Sequence, residues 1–246
     1  MPADFLPTIV VPLGLFVAAF CAGLAGFAFN LIAAGILLHF VSPQVLAPVL
    51  VLGNLVVQSI SLPTVLRSVR WRPLLGPILA GVLGLPIGIL ILRVADPRQV
   101  GIIVGVLLAG YGGYALARMA LRIKPRPVAA NHWIDKIVGF LSGILGGIGG
   151  FSGALPAMWV DLQGLTKEEA RARLQPFVTT MQVITAACLA LGGFVTRETG
   201  WTLLTGLPAL MLGTWLGLKA YRIIPAQGFR LVLVGLLFLS GISLLL

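Results

Sequence analysis

The chain has 246 residues, of which 59% are hydrophobic and only 10% charged, with a mean hydropathy of +1.06. A water-soluble domain carries roughly 25% charged residues, so this composition excludes a soluble fold and points to a lipid bilayer as the solvent. The formal charge of +10 comes from residues in short segments between apolar runs, which argues against nucleic acid as a partner and for the excess of Lys and Arg that marks cytoplasmic loops.

In chain order the apolar runs are 5–41, 45–66, 73–92, 99–121, 133–162, 174–196, 201–218 and 231–246. The residues before the first, Met1-Pro2-Ala3-Asp4, lack the basic start of a secretory signal, so that run is expected to stay as membrane helix. Six runs suit single crossings of about 20 residues. The runs 5–41 and 133–162 are too long for one crossing, and both are interrupted by small residues. The first carries Ala22-Gly23-Leu24-Ala25-Gly26, and the second carries Gly143, Gly146, Gly147, Gly149 and Gly150. The piece after each interruption makes roughly 20 Å of helix, short of a hydrocarbon core of about 30 Å. Each long run is therefore predicted to be a broken hairpin. The longest polar stretch, 122–136, lies between the halves.

The halves echo one another. Gly23 and Gly26 pair with Gly143 and Gly146 at an offset of 120; Leu46-Ala47-Pro48 pairs with Leu174-Gln175-Pro176 at 128, a register that sets Asn54 opposite Gln182. The extra length is assigned to a loop from Gly164 to Arg173. Leu83 to Gly88 pairs with Leu212 to Gly217, and the run from Gly105 with that from Gly235. Charge then selects a topology. With both long runs as hairpins, 14 of the 17 basic residues fall on one side, as the positive-inside rule requires. The predicted fold is all-α: a polytopic membrane protein with two inverted-topology repeats, each a broken helical hairpin plus three spanning helices. The first repeat is 1–121, a cytoplasmic linker 122–132, and the second repeat 133–246. The predicted location is the inner (cytoplasmic) membrane, with both termini outside.

Inverted repeats with a short, glycine-interrupted segment at matching positions point to a secondary transporter. A helix broken inside the membrane exposes unpaired N–H groups and the positive end of its dipole, which favour an anion. The candidate breaks are Gly26-Phe27-Ala28-Phe29-Asn30 and Gly149-Gly150-Phe151-Ser152-Gly153. The candidate substrate-binding residues are Gly26, Phe27, Asn30, Gly149, Gly150, Phe151 and Ser152 at the breaks, with the mid-span polar residues Asn54, Gln58 and Gln182. Gln58 lies one turn from Asn54, on the same face. The competing readings are close helix packing for the glycines and interhelical hydrogen bonds for the amides.

Catalytic and metal chemistry find no support. Cys21 and Cys188 sit in apolar runs, no Cys-x-x-Cys occurs, and the histidines are His39 and His132. No acidic residue falls in mid-span: Asp161 ends the second hairpin, and Glu198 is expected in a loop. His39, at the end of the first hairpin, is a candidate proton carrier. No cofactor is expected, and the chain is read as a non-enzyme.

The run Phe140-Leu141-Ser142-Gly143-Ile144-Leu145-Gly146-Gly147-Ile148-Gly149-Gly150-Phe151-Ser152-Gly153-Ala154-Leu155-Pro156-Ala157-Met158-Trp159, its weaker echo at 16–38, Leu46-Ala47-Pro48 with Leu174-Gln175-Pro176, and the closing Gly105 and Gly235 runs resemble the sulfite exporter TauE/SafE family of anion permeases. The resemblance implies movement of small anions across the cytoplasmic membrane: sulfite, thiosulfate, sulfonates such as sulfoacetate, or related organic acids. Ala28-Phe29-Asn30 stands where the family often has three glycines, which bears on the substrate more than on the fold. The expected partners are a small anionic substrate and the lipid bilayer. Proton coupling and homo-oligomer formation stay open, and a passive anion channel or a membrane scaffold is the alternative.

Overall fold

In a computed structural model of the chain, residues 5–37, 40–41, 43–94, 97–123 and 127–245 are described. His39 lies outside them. The described elements are helices: α1 (Phe5–Ala25), α2 (Phe29–Leu37), α3 (Pro43–Ser61), α4 (Trp71–Val94), α5 (Pro97–Ala120), α6 (His132–Gly149), α7 (Ala154–Gln163), α8 (Lys167–Leu191), α9 (Arg197–Ile223) and α10 (Ala226–Leu245), with two 3-10 turns between α3 and α4. Among the described residues five helices are long and apolar enough to cross a membrane. Leu79, Leu83 and Leu90 on α4, and Trp201 and Leu204 on α9, are exposed. Apolar surface of that extent is at home in lipid.

The order of a long helix, a break, a short helix and three long helices occurs twice. α2 has 9 residues and α7 has 10, roughly 13 and 15 Å of helix, well short of a crossing. α2 folds back along α1, so that Leu37 at its far end packs on Gly14. α7 folds back along α6, and Trp159 Nε1 donates to Asp135 Oδ1 at 2.6 Å. The halves interlock by exchange: α1 packs along α9 and α6 along α4, while α5 and α10 face each other. Glycine makes these contacts close. Gly143 lies against the Gly81 backbone and Gly217 against Phe20 and Gly23, so a side chain at either position would run into main-chain atoms.

Helix starts correct two expectations. Residues 167–173 are not a loop. Thr166 and Glu169 form a capping box that starts α8 at Lys167, and only 164–166 connect it to α7. Glu198 is likewise in the first turn of α9, where its charge suits the helix dipole. Asp161 lies in α7, near its end, and is 8% exposed. Arg230 of α10 holds it with two bonds, Nε to Oδ1 at 2.6 Å and Nη2 to Oδ2 at 3.2 Å, and Tyr111 of α5 donates to Oδ2 at 2.8 Å.

Candidate functional site

The first break is Gly26-Phe27-Ala28, between α1 and α2; the second is 150–153, between α6 and α7. Gly26 (φ +84) and Gly150 (φ +74) each turn the chain through the left-handed region that glycine enters freely. Their own N–H groups close the preceding helices, Gly26 onto Ala22 O and Gly150 onto Gly146 O. A third residue, Ala28, takes φ 72 without being a glycine.

The carbonyls of the two turn glycines are supplied with side-chain donors. Gly150 O accepts from Asn30 Nδ2 at 2.7 Å and from Gln182 Nε2 at 3.0 Å. Gly26 O accepts a longer bond from Gln58 Nε2, at 3.5 Å. The amides are not matched in the same way. Among the described residues no hydrogen bond is made by the N–H groups of Phe27, Ala28, Asn30 and Leu31 at the first break, or of Ser152, Gly153 and Leu155 at the second. These amides lead into α2 and α7, so they carry the positive ends of two helix dipoles.

The breaks meet. Ala28, Asn30, Leu31, Asn54, Gly150, Phe151, Gly153 and Val178 line one small cavity of about 10 Å³, space for a single water. Phe27, 1% exposed, packs on Gly153 beside it. The side-chain oxygens of Asn30, Asn54, Ser152 and Gln182 are buried without partners. Burying so many unpaired polar atoms is costly, and a bound guest or water relieves it.

Of the candidate residues, Asn30, Asn54, Gly150 and Phe151 line this cavity; Gln182 joins it through Gly150 O, and Phe27, Gly149 and Ser152 form its surround. Gly26 and Gln58 belong to a different chain of contacts. Gln58 Oε1 accepts from Gln175 Nε2 at 3.4 Å, and Gln175 Oε1 accepts from Arg171 Nε at 3.1 Å. Arg171 Nη1 donates to Leu24 O at 3.3 Å, capping the end of α1. The repeat register also differs from that expected. Gln58 to Gly26 and Gln182 to Gly150 both span 32 residues, so Gln58, not Asn54, stands opposite Gln182.

Sequence reading missed Arg171 and Gln175. Both follow from one signal: with α8 starting at Lys167, Arg171, Gln175, Val178 and Gln182 recur at helical spacing on one face.

The sequence profile of the family described as Sulfite exporter TauE/SafE matches residues 11–244. No curated protein and no solved structure gives a significant match.

Proposed function

The chain belongs to the sulfite exporter TauE/SafE family, and on that premise we propose that it carries small anions of the sulfite and sulfonate kind by alternating access, with the cavity between the breaks as the binding site. The observation that carries this reading is the imbalance at the breaks. The carbonyls of the two turn glycines, Gly26 and Gly150, are satisfied from within the protein, while a set of amides at two helix N-termini is left over. Such amides suit a negative guest. The unpartnered oxygens of Asn30, Asn54 and Gln182 ask for hydrogens in turn. A protonated oxyanion, or an oxyanion with one water, supplies both kinds of partner.

A cavity of about 10 Å³ is too small for any multi-atom anion, so the breaks must part to admit one. It favours a carrier that opens over a permanently open pore. The units 1–121 and 133–246 are proposed to lie inverted, with 122–132 on the cytoplasmic side and both termini outside. A non-permeant probe then reaches a tag at either end of the chain in intact cells, and protection of both ends reverses the orientation.

The test of transport is counterflow. Proteoliposomes loaded with unlabelled sulfite should transiently accumulate labelled sulfite above the external concentration. Equilibration without overshoot identifies a channel, and no protein-dependent flux identifies a scaffold.

A further inference from the structure

Arg171 is fully buried, 0% exposed, in the second turn of α8. Its guanidinium has five N–H hydrogens and stays charged in proteins. Two hydrogens are used, by Gln175 Oε1 and Leu24 O; Nη2 has no partner at all. Among the described residues no carboxylate pairs with it, for the described ion pairs are Lys167–Glu168 and Arg230–Asp161. The Tyr221 ring lies 4.1 Å from the guanidinium carbon, and Lys167 brings a second positive charge over the same ring. Capping α1, bonding Gln175 and stacking on Tyr221 occupy the face, Nε and one hydrogen of Nη1, and leave three of the five hydrogens, two on Nη2 and one on Nη1, with nothing to bind. A charge so buried and so incompletely paired calls for a counter-ion.

The position is as informative as the charge. A Cβ at Gly26 would sit 3.3 Å from Arg171 Cγ, so the arginine stem lies directly against the first break. Gln175 and Gln58 continue from the guanidinium to Gly26 O. The neighbouring residues of α8, Ala172 and Arg173, border an open cleft of about 450 Å³ whose wall carries Arg67 and Arg70 together with the carboxylates of Glu168 and Glu169.

We propose that Arg171 is the charged anchor of the carried anion: when α8 parts from α1 and Leu24 O releases Nη1, the Nη1–Nη2 edge takes two oxygens of an oxyanion beside the first break, with Gln175 holding the plane through Nε. The proposal rests on the transporter reading and specifies its ligand class. A planar fork matches two oxygens on one atom, as in sulfite, a sulfonate or a carboxylate, and gives no such advantage to chloride.

The test is titration of the purified full chain with sodium sulfite, methanesulfonate, acetate and chloride, by calorimetry and thermal shift. Wild type should prefer the three oxyanions to chloride. Arg171→Gln should bind sulfite about 100-fold more weakly, the usual scale for removing one partner of a buried charge pair. Arg171→Lys keeps the charge and loses the fork, so its sulfite-over-chloride preference should fall about tenfold. Folded Arg171→Gln binding sulfite within about threefold of wild type overturns the proposal. So does Arg171→Lys with the wild-type preference, and that variant decides the matter if Arg171→Gln does not fold. Wild type binding none of the four anions removes the transporter reading as well, whereas normal wild-type binding with unchanged variants removes Arg171 alone.

Discussion

At the first break Gly26 offers its carbonyl to Gln58, and at the second Gly150 offers its carbonyl to Gln182; in both the donor lies 32 residues further along the chain. The partner from the opposite half differs. Asn30 reaches across to Gly150 O at 2.7 Å with a neutral amide. Arg171, braced by Gln175, reaches across to the first break with a charge, and it grips the end of α1 rather than Gly26 itself. One backbone design thus serves two chemical environments: a neutral pocket where the breaks meet, and a cationic anchor behind the first of them. The two breaks share one left-handed glycine turn, and residues outside that shared pattern set a charge beside the first of them.

The strongest way to break this comparison is at its central carbonyl. Gly150→Val puts a β-branched side chain at φ +74, directly into Asn30 and beside Val51. Both the left-handed backbone and the contact with Asn30 are lost. Sulfite counterflow should fall to the protein-free background, while size-exclusion chromatography still shows a monodisperse protein. Retained flux would mean that the meeting of the breaks has no part in transport.

The two glutamines sharpen it. Gly150 O keeps Asn30 as a donor when Gln182 is removed, but Gly26 O has no second donor among the described residues. Gln58→Leu also leaves Gln175 Nε2 without its acceptor. Stranding buried polar groups costs about 1–3 kcal/mol, so Gln58→Leu should destabilise by about 2 kcal/mol and Gln182→Leu by under about 1 kcal/mol. Thermal denaturation in detergent measures the difference. Equal losses would show that the breaks are held alike.

Asn54 separates binding from stability. It lines the cavity, is 3% exposed and has no partner for its side-chain oxygen. Asn54→Leu removes an unpaired polar group from the interior and should leave the melting temperature unchanged or higher. Sulfite affinity should fall about tenfold, the worth of one hydrogen bond to a charged guest. Unchanged affinity would place the guest elsewhere.

The breaks themselves were legible in the sequence, because a glycine cluster inside an apolar run too long for one crossing has few other uses. The register between the halves was not. Gly139, Gly143 and Gly147 recur every four residues along the face of α6 that meets α4, so sliding the halves by one helical turn lays glycine on glycine. Side-chain hydrogen bonds, which sequence does not display, fix the spacing instead. Arg171 was hidden for a different reason. Three basic residues between 167 and 173 read as a solvated loop, and that reading hid the capping box at Thr166 and Glu169 which makes them helix. Once they are helix, one basic side chain must face inward with Gln175 and Gln182.

Ala28 tests the comparison most gently. The second break turns on glycine alone, whereas the first also holds an alanine at φ 72. A side chain in that region costs about 1–2 kcal/mol, and part of any gain from Ala28→Gly is offset by the freer unfolded chain, so the variant should be more stable by about 0.5–1 kcal/mol. The methyl borders the cavity, yet no polar contact is lost with it, so sulfite affinity should change little. The rate is where the strain matters. If the left-handed turn unwinds as the site opens, relieving it in the unopened form deepens that form alone, and about 1 kcal/mol there slows counterflow about fivefold. A variant that is more stable but exchanges sulfite at the wild-type rate would show that Ala28 keeps its conformation throughout the cycle, and that the first break moves as a rigid unit with α2.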